Sequence, residues 1–417
     1  MVMLHRNATE IALETLESSP ITVISGARQV GKSTLMQQLV HDRPSRMVSL
    51  DSAVDRAAAL RDPDAFAAQF PDGTLAIDEV QRAPELLIAI KQATDQARRP
   101  GRFILTGSAD LLTVRGGQES LAGRAQTIAL DGFSRGEIEE RVEDFADYCW
   151  SLPHGAALND IDDLSRRDYI ELSIRSAFPE IHDSSARVQG RWLRNYAERV
   201  LSKDAAEVSG IQHPDRLSPL LRLLAAENAS EFVAAHVSRQ LDIPARSVPA
   251  YLRALRDVFL VRELPSWGNN LSKRVVSKPK VSLADPGLAG ALVGADADGL
   301  ERDISSTLTG GLVEGFVVSE IAKQRTWSSR DFDLSHYRDS IGREVDLVLE
   351  SPRREVVAIE VKATSSITGR HFRGLDFLRD EIGERFVAGI VLYTGRRALS
   401  FGDRLWALPI GTMWRHG

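Results

Sequence analysis

Apolar runs and helical repeats alternate along the first third of the chain. Short β-branched and apolar runs predict strands over residues 21–25, 74–79, 102–106 and 127–130. Behind the first run and a glycine-containing loop, apolar residues recur at helical spacing over residues 32–40, which predicts a helix packed on a sheet. This order is typical of an open α/β sheet, whose ligands bind at the carboxyl ends of the strands.

The middle of the chain is predicted to be mostly helical. Two amphipathic helices are expected within residues 191–226, followed by a helix over 231–241, a turn, and a second helix over 247–259. Two strands are then predicted over 259–264 and 275–283. Helix, turn, helix and two strands in this order are typical of a winged helix.

The last third of the chain is predicted to contain one helix and a group of strands. Residues 310–320 form the helix, with Glu314 near its start, and residues 333–338 form the first strand. Residues 343–349 and 355–362 then alternate between apolar and polar side chains. Such alternation indicates strands whose two faces differ in polarity.

Polar residues are predicted to converge on one side of these two alternating strands. In the first strand, Val345 and the leucines two and four positions later are expected on one face, so that Asp346 points the other way. In the second strand, Glu360 and Lys362 share a face. Carboxylates and a lysine are therefore expected in one pocket, which Glu314 reaches from the preceding helix.

The composition is that of an ordinary globular protein, with 43% hydrophobic and 26% charged residues. The single cysteine, Cys149, excludes an intramolecular disulfide framework and a cysteine-based zinc site. No run of about eighteen apolar residues is present, and residues 1–10 lack the order of a signal peptide. A cytoplasmic protein without a membrane partner is expected.

The charge is unevenly distributed. A net charge of -6 excludes a globally basic nucleic-acid coat. Residues 231–280 nevertheless carry nine Lys or Arg against four Asp or Glu. The basic residues on the predicted second helix and wing are Arg246, Arg253, Arg256, Lys273, Arg274, Lys278 and Lys280. Such a surface suits duplex or branched DNA, whose phosphates supply most of the affinity. A winged helix used only for packing or protein contacts is the alternative.

Residues 26–33 match the phosphate-binding pattern GxxxxGK[ST] at every fixed position, between a predicted strand and a predicted helix. Glycines let the backbone wrap phosphates, Lys32 neutralises the β and γ oxygens, and Ser33 ligates Mg²⁺. ATP and Mg²⁺ are therefore the predicted ligands. The residues expected to hold the nucleotide are Gly26, Ala27, Arg28, Gln29, Val30, Gly31, Lys32, Ser33, Thr34, Asp78, Thr106 and Ser108.

Further polar residues follow the later strands of this sheet. Asp78 is expected to hold the metal, and Glu79 to orient or deprotonate the attacking water. Thr106 or Ser108 stands where ATPases of the AAA+ type place a γ-phosphate sensor, with a plain turn as the alternative. Arg124 is either a transition-state arginine, acting in its own chain or in a neighbour of a homo-oligomer, or a surface residue.

These motifs resemble a family of bacterial and archaeal AAA+-like ATPases (AAA_14 type), in which a P-loop domain precedes a domain of unknown function, DUF4143. The likeness covers nearly the whole chain. It is carried by GARQVGKST (residues 26–34), AIDEVQRAPEL (76–86), LTGSADLL (105–112) and SLAGR (120–124). The resemblance implies ATP binding and leaves the biological role open.

The polar set in the last third resembles the D...ExK pattern of PD-(D/E)xK nucleases and Holliday-junction resolvases. This resemblance implies that Asp346 and Glu360 are Mg²⁺ ligands, that Lys362 positions or activates water, and that Glu314 adds a further carboxylate. A nuclease fold that keeps its strands for structure or nucleic-acid binding, without cleavage, is the alternative.

The predicted fold is α/β, with a P-loop NTPase domain, a central helical and winged-helix region, and a C-terminal restriction-endonuclease-like α/β domain. We place the P-loop domain at residues 1–145, a helical connector at 146–190, the winged-helix region at 191–285 and the nuclease-like domain at 286–417. The acidic residues that lead into the connector are expected to form a solvated face. They are Glu137, Glu139, Glu140, Glu143, Asp144 and Asp147.

The leading hypothesis is a protein that binds and hydrolyses ATP and acts on or with DNA through a winged helix and a nuclease-like domain. One alternative is a nucleotide-dependent switch that binds DNA or a protein partner and cleaves nothing. Another is a defence or toxin-like nuclease controlled by ATP. Metal-dependent DNA cleavage that is lost in Asp346→Ala would separate the nuclease hypotheses from the switch.

Overall fold

A computed structural model describes residues 4–108, 121–161, 163–205, 211, 213–268, 278–303 and 306–415. Some residues that the sequence singled out lie outside this part of the chain. They are residues 109–112 of the LTGSADLL segment, Ser120, Lys273 and Arg274. The described residues form three sheets with helices packed on them.

A parallel five-stranded sheet organises the first third of the chain. Its strands are β1 (Ile21–Ser25), β2 (Ser45–Ser49), β3 (Thr74–Asp78), β4 (Phe103–Gly107) and β5 (Ala125–Ala129), in the order β2-β3-β4-β1-β5. The helices around it are α1 (Thr9–Ser18), α2 (Lys32–Leu39), α3 (Ala53–Arg61), α4 (Pro63–Ala68) and α5 (Leu86–Gln96). Every residue of β1, β3 and β4 is buried, whereas the two edge strands are partly exposed. The predicted α/β architecture is confirmed.

Helices and a small antiparallel sheet form the middle of the chain. The helices are α6 (Arg135–Ile138), α7 (Phe145–Ser151), α8 (Arg166–Leu172), α9 (Ala186–Arg199), α10 (Leu217–Ala226), α11 (Ala234–Leu241) and α12 (Val248–Asp257). The strands are β6 (Ser230–Glu231), β7 (Val261–Leu264) and β8 (Lys280–Leu283), in the order β6-β8-β7. The predicted strand over residues 275–283 is described only from residue 280 onward as β8.

A six-stranded mixed sheet forms the last third. Its strands are β9 (Asp333–Arg338), β10 (Glu344–Glu350), β11 (Val356–Lys362), β12 (Phe386–Tyr393), β13 (Leu399–Gly402) and β14 (Leu405–Pro409), in the order β13-β14-β12-β11-β10-β9. The helices are α13 (Pro286–Val293), α14 (Ala297–Arg302), α15 (Thr307–Gln324), α16 (Arg373–Ile382) and α17 (Thr412–Arg415). Residues of α15 and α16 pack into different clusters, which cover the two faces of this sheet. Across the described ranges, no helix is long and apolar enough to span a membrane.

Strand β10 departs from the predicted alternation. Its register against β9 shifts between Val345 and Val348. Both valines pack in the cluster that contains α16, whereas Leu347 and Leu349 pack in the cluster that contains α15. The prediction that Val345 shares a face with these leucines is therefore wrong, because an irregularity in the ladder changes which face a residue points to.

The acidic segment after β5 is not the uniformly solvated face that the sequence predicted. Glu137 is 2% exposed and Glu143 is fully buried. Arg6 forms an ion pair with Glu137 at 3.1 Å, and the Asn7 side-chain amide donates to Glu143 at 2.7 Å. The prediction is wrong for these two glutamates because the N-terminal segment supplies polar partners that make their burial tolerable.

Packing does not follow the predicted domain boundaries closely. Trp150 and Tyr169, in the predicted connector, pack in the core of the C-terminal sheet. Leu288 and Leu300, in the predicted nuclease-like domain, pack instead with the central helices. The boundaries given above stay predictions, but the hydrophobic contacts join helices across two of them.

We expect Glu143→Gln to change how stability depends on pH. Burial, followed by the charges of Glu320 and Glu137, raises the pKa of Glu143 from 4.5 to about 8. Between these values the folded chain holds a proton that the unfolded chain has released, so rising pH removes stability, by about 1.4 kcal/mol per pH unit for one group. The glutamine keeps the shape without titrating. Unfolding midpoints at pH 5.5 and pH 8 should therefore differ less in the variant; an equal difference would contradict the assignment.

Candidate functional site

The loop between β1 and α2 brings backbone amides to the carboxyl end of the parallel sheet. At Gly26 an added Cβ would lie 2.0 Å from the carbonyl oxygen of Leu130, so only glycine permits this approach to the end of β5. At Gly31 the φ angle is 98°, in the left-handed region that favours glycine. The two glycines let the chain turn tightly into α2, whose first amides are suited to bind an anion.

Lys32 lies inside this loop. Its side chain is 5% exposed, and its ammonium donates to the carbonyl oxygens of Gly26 at 2.9 Å and Ala27 at 2.7 Å. Gln29 and Thr34, also predicted to contact nucleotide, are exposed on the outside of the loop and on the first turn of α2. The Lys32 ammonium therefore lies on the inner side of the loop, where phosphate binding requires a cation.

Residues far from the motif hold the loop in position. The Arg6 guanidinium donates to the carbonyl oxygens of Val30 at 3.1 Å and Asp131 at 2.7 Å. The Tyr196 hydroxyl donates to the carbonyl oxygen of Arg28 at 3.3 Å. Sequence reasoning missed both of these supporting side chains, because no motif marks them and their partners lie far away along the chain.

Asp78 collects hydroxyl groups at the end of β3. The Ser33 hydroxyl lies 3.0 and 3.1 Å from its two carboxylate oxygens, and the Ser49 hydroxyl lies 3.5 Å from one of them. Thr106 also donates to this carboxylate. Hydroxyl and carboxylate oxygens are ligands that Mg²⁺ prefers, so Ser33 and Asp78 fit a magnesium ion bound together with a nucleotide.

Glu79 is held by a separate set of contacts. Its φ of 58° is unusual for a residue other than glycine, and such conformations cluster at functional sites. Its backbone amide donates to the Thr106 hydroxyl at 3.1 Å, and the Ser108 hydroxyl donates to its carboxylate at 2.9 Å. The Gln81 amide donates to the same carboxylate and to the Ser108 hydroxyl. Thr106 and Ser108 thus lie in the site, together with Gln81, which the sequence analysis did not single out.

Arg124 lies at the opposite end of the sheet. It precedes β5, which runs parallel to β1, whereas the phosphate loop follows β1. Its guanidinium binds both carboxylate oxygens of Asp95, at 2.6 and 2.8 Å. The prediction that Arg124 acts on a phosphate in its own chain is therefore corrected. A role in a neighbouring copy stays a prediction.

In the C-terminal region, two predicted residues, Glu314 and Asp346, and one that was not predicted, Glu344, contact a lysine that was predicted only as part of the wing. Lys280 of β8 is 3% exposed, and its ammonium contacts carboxylates of Glu314 at 2.6 Å, Glu344 at 2.7 Å and Asp346 at 2.9 Å. The second carboxylate oxygen of Asp346 accepts from the backbone amide of Val361 at 2.9 Å.

Glu360 and Lys362, which flank Val361, complete this cluster with an ion pair of 2.5 Å. Burial, followed by the charge of Asp346, raises the pKa of Glu360 to about 8 and that of Glu314 well above its ordinary value. Burial acts in the same direction on Asp346, but the nearby lysines outweigh it and lower the pKa of Asp346. The charge of each group in the cluster therefore strongly affects the pKa of its neighbours.

The predicted C-terminal metal site does not fit this arrangement. Nowhere in the described part of the chain are three His, Cys, Asp or Glu side chains grouped so that they could hold a metal ion. The Lys280 ammonium stands between the oxygens of Glu314 and Asp346, where the nuclease resemblance places a cation. The assignment of Glu314, Asp346 and Glu360 as metal ligands is therefore corrected for this conformation.

The parallel sheet, the glycine loop and the two acidic residues at the end of β3 define a nucleotide-binding domain of the P-loop NTPase class. Residues 18–139 match the protein family described as an AAA domain. Residues 166–299 match a domain of unknown function, DUF8612, and residues 309–413 match another, DUF4143. An AAA-like ATPase domain is therefore followed by a DUF4143 domain, as the resemblance implied.

Sequence similarity to other proteins extends over most of the chain. Uncharacterized proteins of Mycobacterium tuberculosis and Mycobacterium bovis are each 28% identical over 368 residues, which cover 88% of this chain and 75% of theirs. A Walker-type ATPase of Pyrococcus abyssi is 17% identical, with a TM-score of 0.41 over 70% of this chain and 96% of that chain. AMPPCP-bound DnaA from Aquifex aeolicus is 13% identical, with a TM-score of 0.28 over 60% and 86%.

We expect Lys280→Ala to destabilise the fold by about 3–5 kcal/mol, because removing one partner of a buried ion cluster leaves the other charges uncompensated. Lys278→Ala, two residues earlier on an exposed side chain, is the matched control and should change the free energy of unfolding by less than about 0.5 kcal/mol. Urea unfolding of both variants measures the difference. Equal effects would show that the cluster contributes no specific stability.

Proposed function

We propose that this chain uses the P-loop site to bind and hydrolyse ATP, and that the nucleotide state controls what the central and C-terminal regions bind. One observation carries the proposal: the Ser33 hydroxyl lies within 3.1 Å of both carboxylate oxygens of Asp78, at the carboxyl end of the parallel sheet. This is the arrangement that a P-loop ATPase needs for a magnesium–nucleotide complex.

The residues of the site have distinct roles in this proposal. Magnesium, when bound with ATP, supplies positive charge to the phosphate oxygens, and Ser33 and Asp78 hold it. The Lys32 ammonium exchanges its two loop carbonyls for phosphate oxygens. Glu79 orients the attacking water and accepts its proton. In the described conformation the Ser108 hydroxyl donates a hydrogen bond to the Glu79 carboxylate. In our proposal this hydrogen bond breaks when Glu79 contacts the attacking water.

We expect Lys32→Ala to weaken ATP binding at least about tenfold and Glu79→Gln to leave binding intact while slowing hydrolysis about 100-fold. Lys32 contacts phosphate in both the ground and transition states, whereas Glu79 acts only on water. Equilibrium binding of ATP and release of phosphate measure the two effects.

Matched controls for this experiment are available in exposed residues. Lys203→Ala and Glu85→Gln remove the same groups away from the site and should leave both quantities unchanged. Unchanged ATP affinity in Lys32→Ala would sink the assignment of the loop.

We further propose that residues 217–283 form a winged helix that contacts DNA. The support is topological: α10, β6, α11, α12, β7 and β8 follow in this order, and the three strands form one antiparallel sheet. In a winged helix α12 is the recognition helix. Arg246 and Arg253 are exposed beside and on α12.

Arg256, on the same helix, has a different environment. Its guanidinium lies 3.1 Å from Asp257 and 3.4 Å from Glu263, and the residue lines a cavity together with Gly26 of the phosphate loop. Its charge is therefore partly compensated within the protein. The surroundings of Arg253 and Arg256 thus favour unequal contributions to binding of a polyanion.

We expect Arg253→Glu to weaken binding of duplex DNA and to reduce the slope of log affinity against log salt by about 1, because a phosphate contact is lost. Arg256→Glu should have a smaller effect, because Asp257 and Glu263 already partly compensate the Arg256 charge. Arg61→Glu, an exposed arginine on α3, is the charge-matched control. Fluorescence anisotropy at several salt concentrations measures these effects. Absence of DNA binding by the parent chain at low salt would favour the protein-contact alternative.

For the C-terminal region we propose a nuclease-like fold that does not cleave in the described conformation. Asp346, Glu360 and Lys362 support the likeness, since they stand on adjacent strands within one cluster. Lys280 supports the absence of cleavage, since its ammonium takes up carboxylate oxygens that a metal would need. The non-cleaving switch is therefore the alternative that the geometry favours.

A further inference from the structure

The cation in the C-terminal cluster comes from outside the sheet that carries the carboxylates. Lys280 belongs to β8 of the small central sheet, whereas Glu314 lies on α15, and Glu344 and Asp346 lie on β10. Besides Lys280 and Lys362, the cluster contains a third positive charge, because the Arg338 guanidinium on β9 lies 3.5 Å from Glu344. The central region thus places one lysine side chain into a pocket built by the C-terminal region.

An ammonium and a divalent metal compete for such a pocket. Both require carboxylate oxygens turned toward one point, and both are repelled by a cation already there. The three oxygens around the Lys280 nitrogen lie at 2.6–2.9 Å, which is direct contact. No space for a second cation separates the ammonium from these carboxylates.

We propose that Lys280 is a built-in cation that excludes divalent metal from the Glu314–Asp346–Glu360 pocket for as long as β8 stays docked on the C-terminal sheet. The identity of the excluded ion rests on the proposed nuclease-like fold. The exclusion itself rests on the position of the ammonium.

Other contacts hold β8 and its surroundings in the docked position. The His336 ring nitrogen Nε2 lies 3.0 Å from the carbonyl oxygen of Lys278, and the backbone amide of Trp267 donates to the carbonyl oxygen of His336. Glu231, which pairs with Lys280 across the small sheet, lies 3.7 Å from Arg338. Withdrawal of Lys280 therefore requires the central sheet to move as a unit against β9. The pocket would accept metal only in a different arrangement of the two sheets.

Mn²⁺ binding to the chain without nucleotide tests the proposal. Electron spin resonance counts the bound ions, and thermal unfolding reports any stabilisation. The parent chain and Lys278→Ala should show no Mn²⁺ binding that depends on Asp346. Lys280→Ala should gain about one bound Mn²⁺ per chain relative to the parent. The gain should disappear in Lys280→Ala/Asp346→Asn. Lys280→Arg, which keeps a cation, should behave like the parent.

Each outcome decides the proposal. Mn²⁺ binding by the parent that Asp346→Asn abolishes would overturn it, and so would a folded Lys280→Ala chain that gains no site. If Lys280→Ala is unfolded without metal, recovery of the fold on adding Mn²⁺ supports the proposal, and failure to recover, in Lys280→Gln as well, counts against it. Cleavage of nucleic acid is not the readout. A chain that neither binds nor hydrolyses ATP would therefore contradict the proposed function and leave metal exclusion standing.

Discussion

A buried ion pair on α15 is the constraint on which the placement of the C-terminal sheet against the parallel sheet depends. Glu320 and Lys323 are 1% and 3% exposed, and their charged atoms lie 2.5 Å apart. Such a pair is tolerated only when its remaining hydrogen-bonding capacity is also used. The Arg135 backbone amide donates to Glu320 at 2.7 Å, and Lys323 donates to the Phe133 carbonyl oxygen at 3.0 Å. Since separating these partners would leave buried charge uncompensated, α15 and the segment after β5 are held to each other.

The same segment also touches the nucleotide site. The carbonyl oxygen of Leu130 packs against Gly26 at the start of the phosphate loop. The Arg6 guanidinium links the loop to the carbonyl oxygen of Asp131. The contacts are thus continuous from the loop to α15, which carries Glu314 of the Lys280 cluster. Continuity alone does not establish energetic coupling, which requires an element with two arrangements that both sites bias. In our proposal, docking of β8 through Lys280 would be such an element, because the ion cluster is either made or broken.

What the sequence could predict depended on how far apart the interacting residues lie along the chain. The phosphate loop is a contiguous motif, so the strand before it and the helix after it were predicted correctly. Glu314 and Asp346 lie 34 and 66 positions from Lys280, and Glu143 contacts Asn7 across 136 positions. Apolar periodicity indicates which face of a helix or strand is buried. It carries no information about which buried charged side chains contact each other. Even that periodicity was misleading at Val345, where the ladder is irregular.

The charge of the C-terminal cluster explains why the same residue types predict the pocket but not its occupant. Four carboxylates face two ammonium groups and the Arg338 guanidinium, so one negative charge is left to be balanced. Protons are one way to meet this demand, because burial and the charge of Asp346 raise the pKa values of Glu360 and Glu314. A divalent metal could meet it too, but only by displacing the ammonium that already contacts Asp346. An ExK pattern on adjacent strands therefore indicates a place where positive charge gathers, and the source of that charge is decided by a lysine on another sheet.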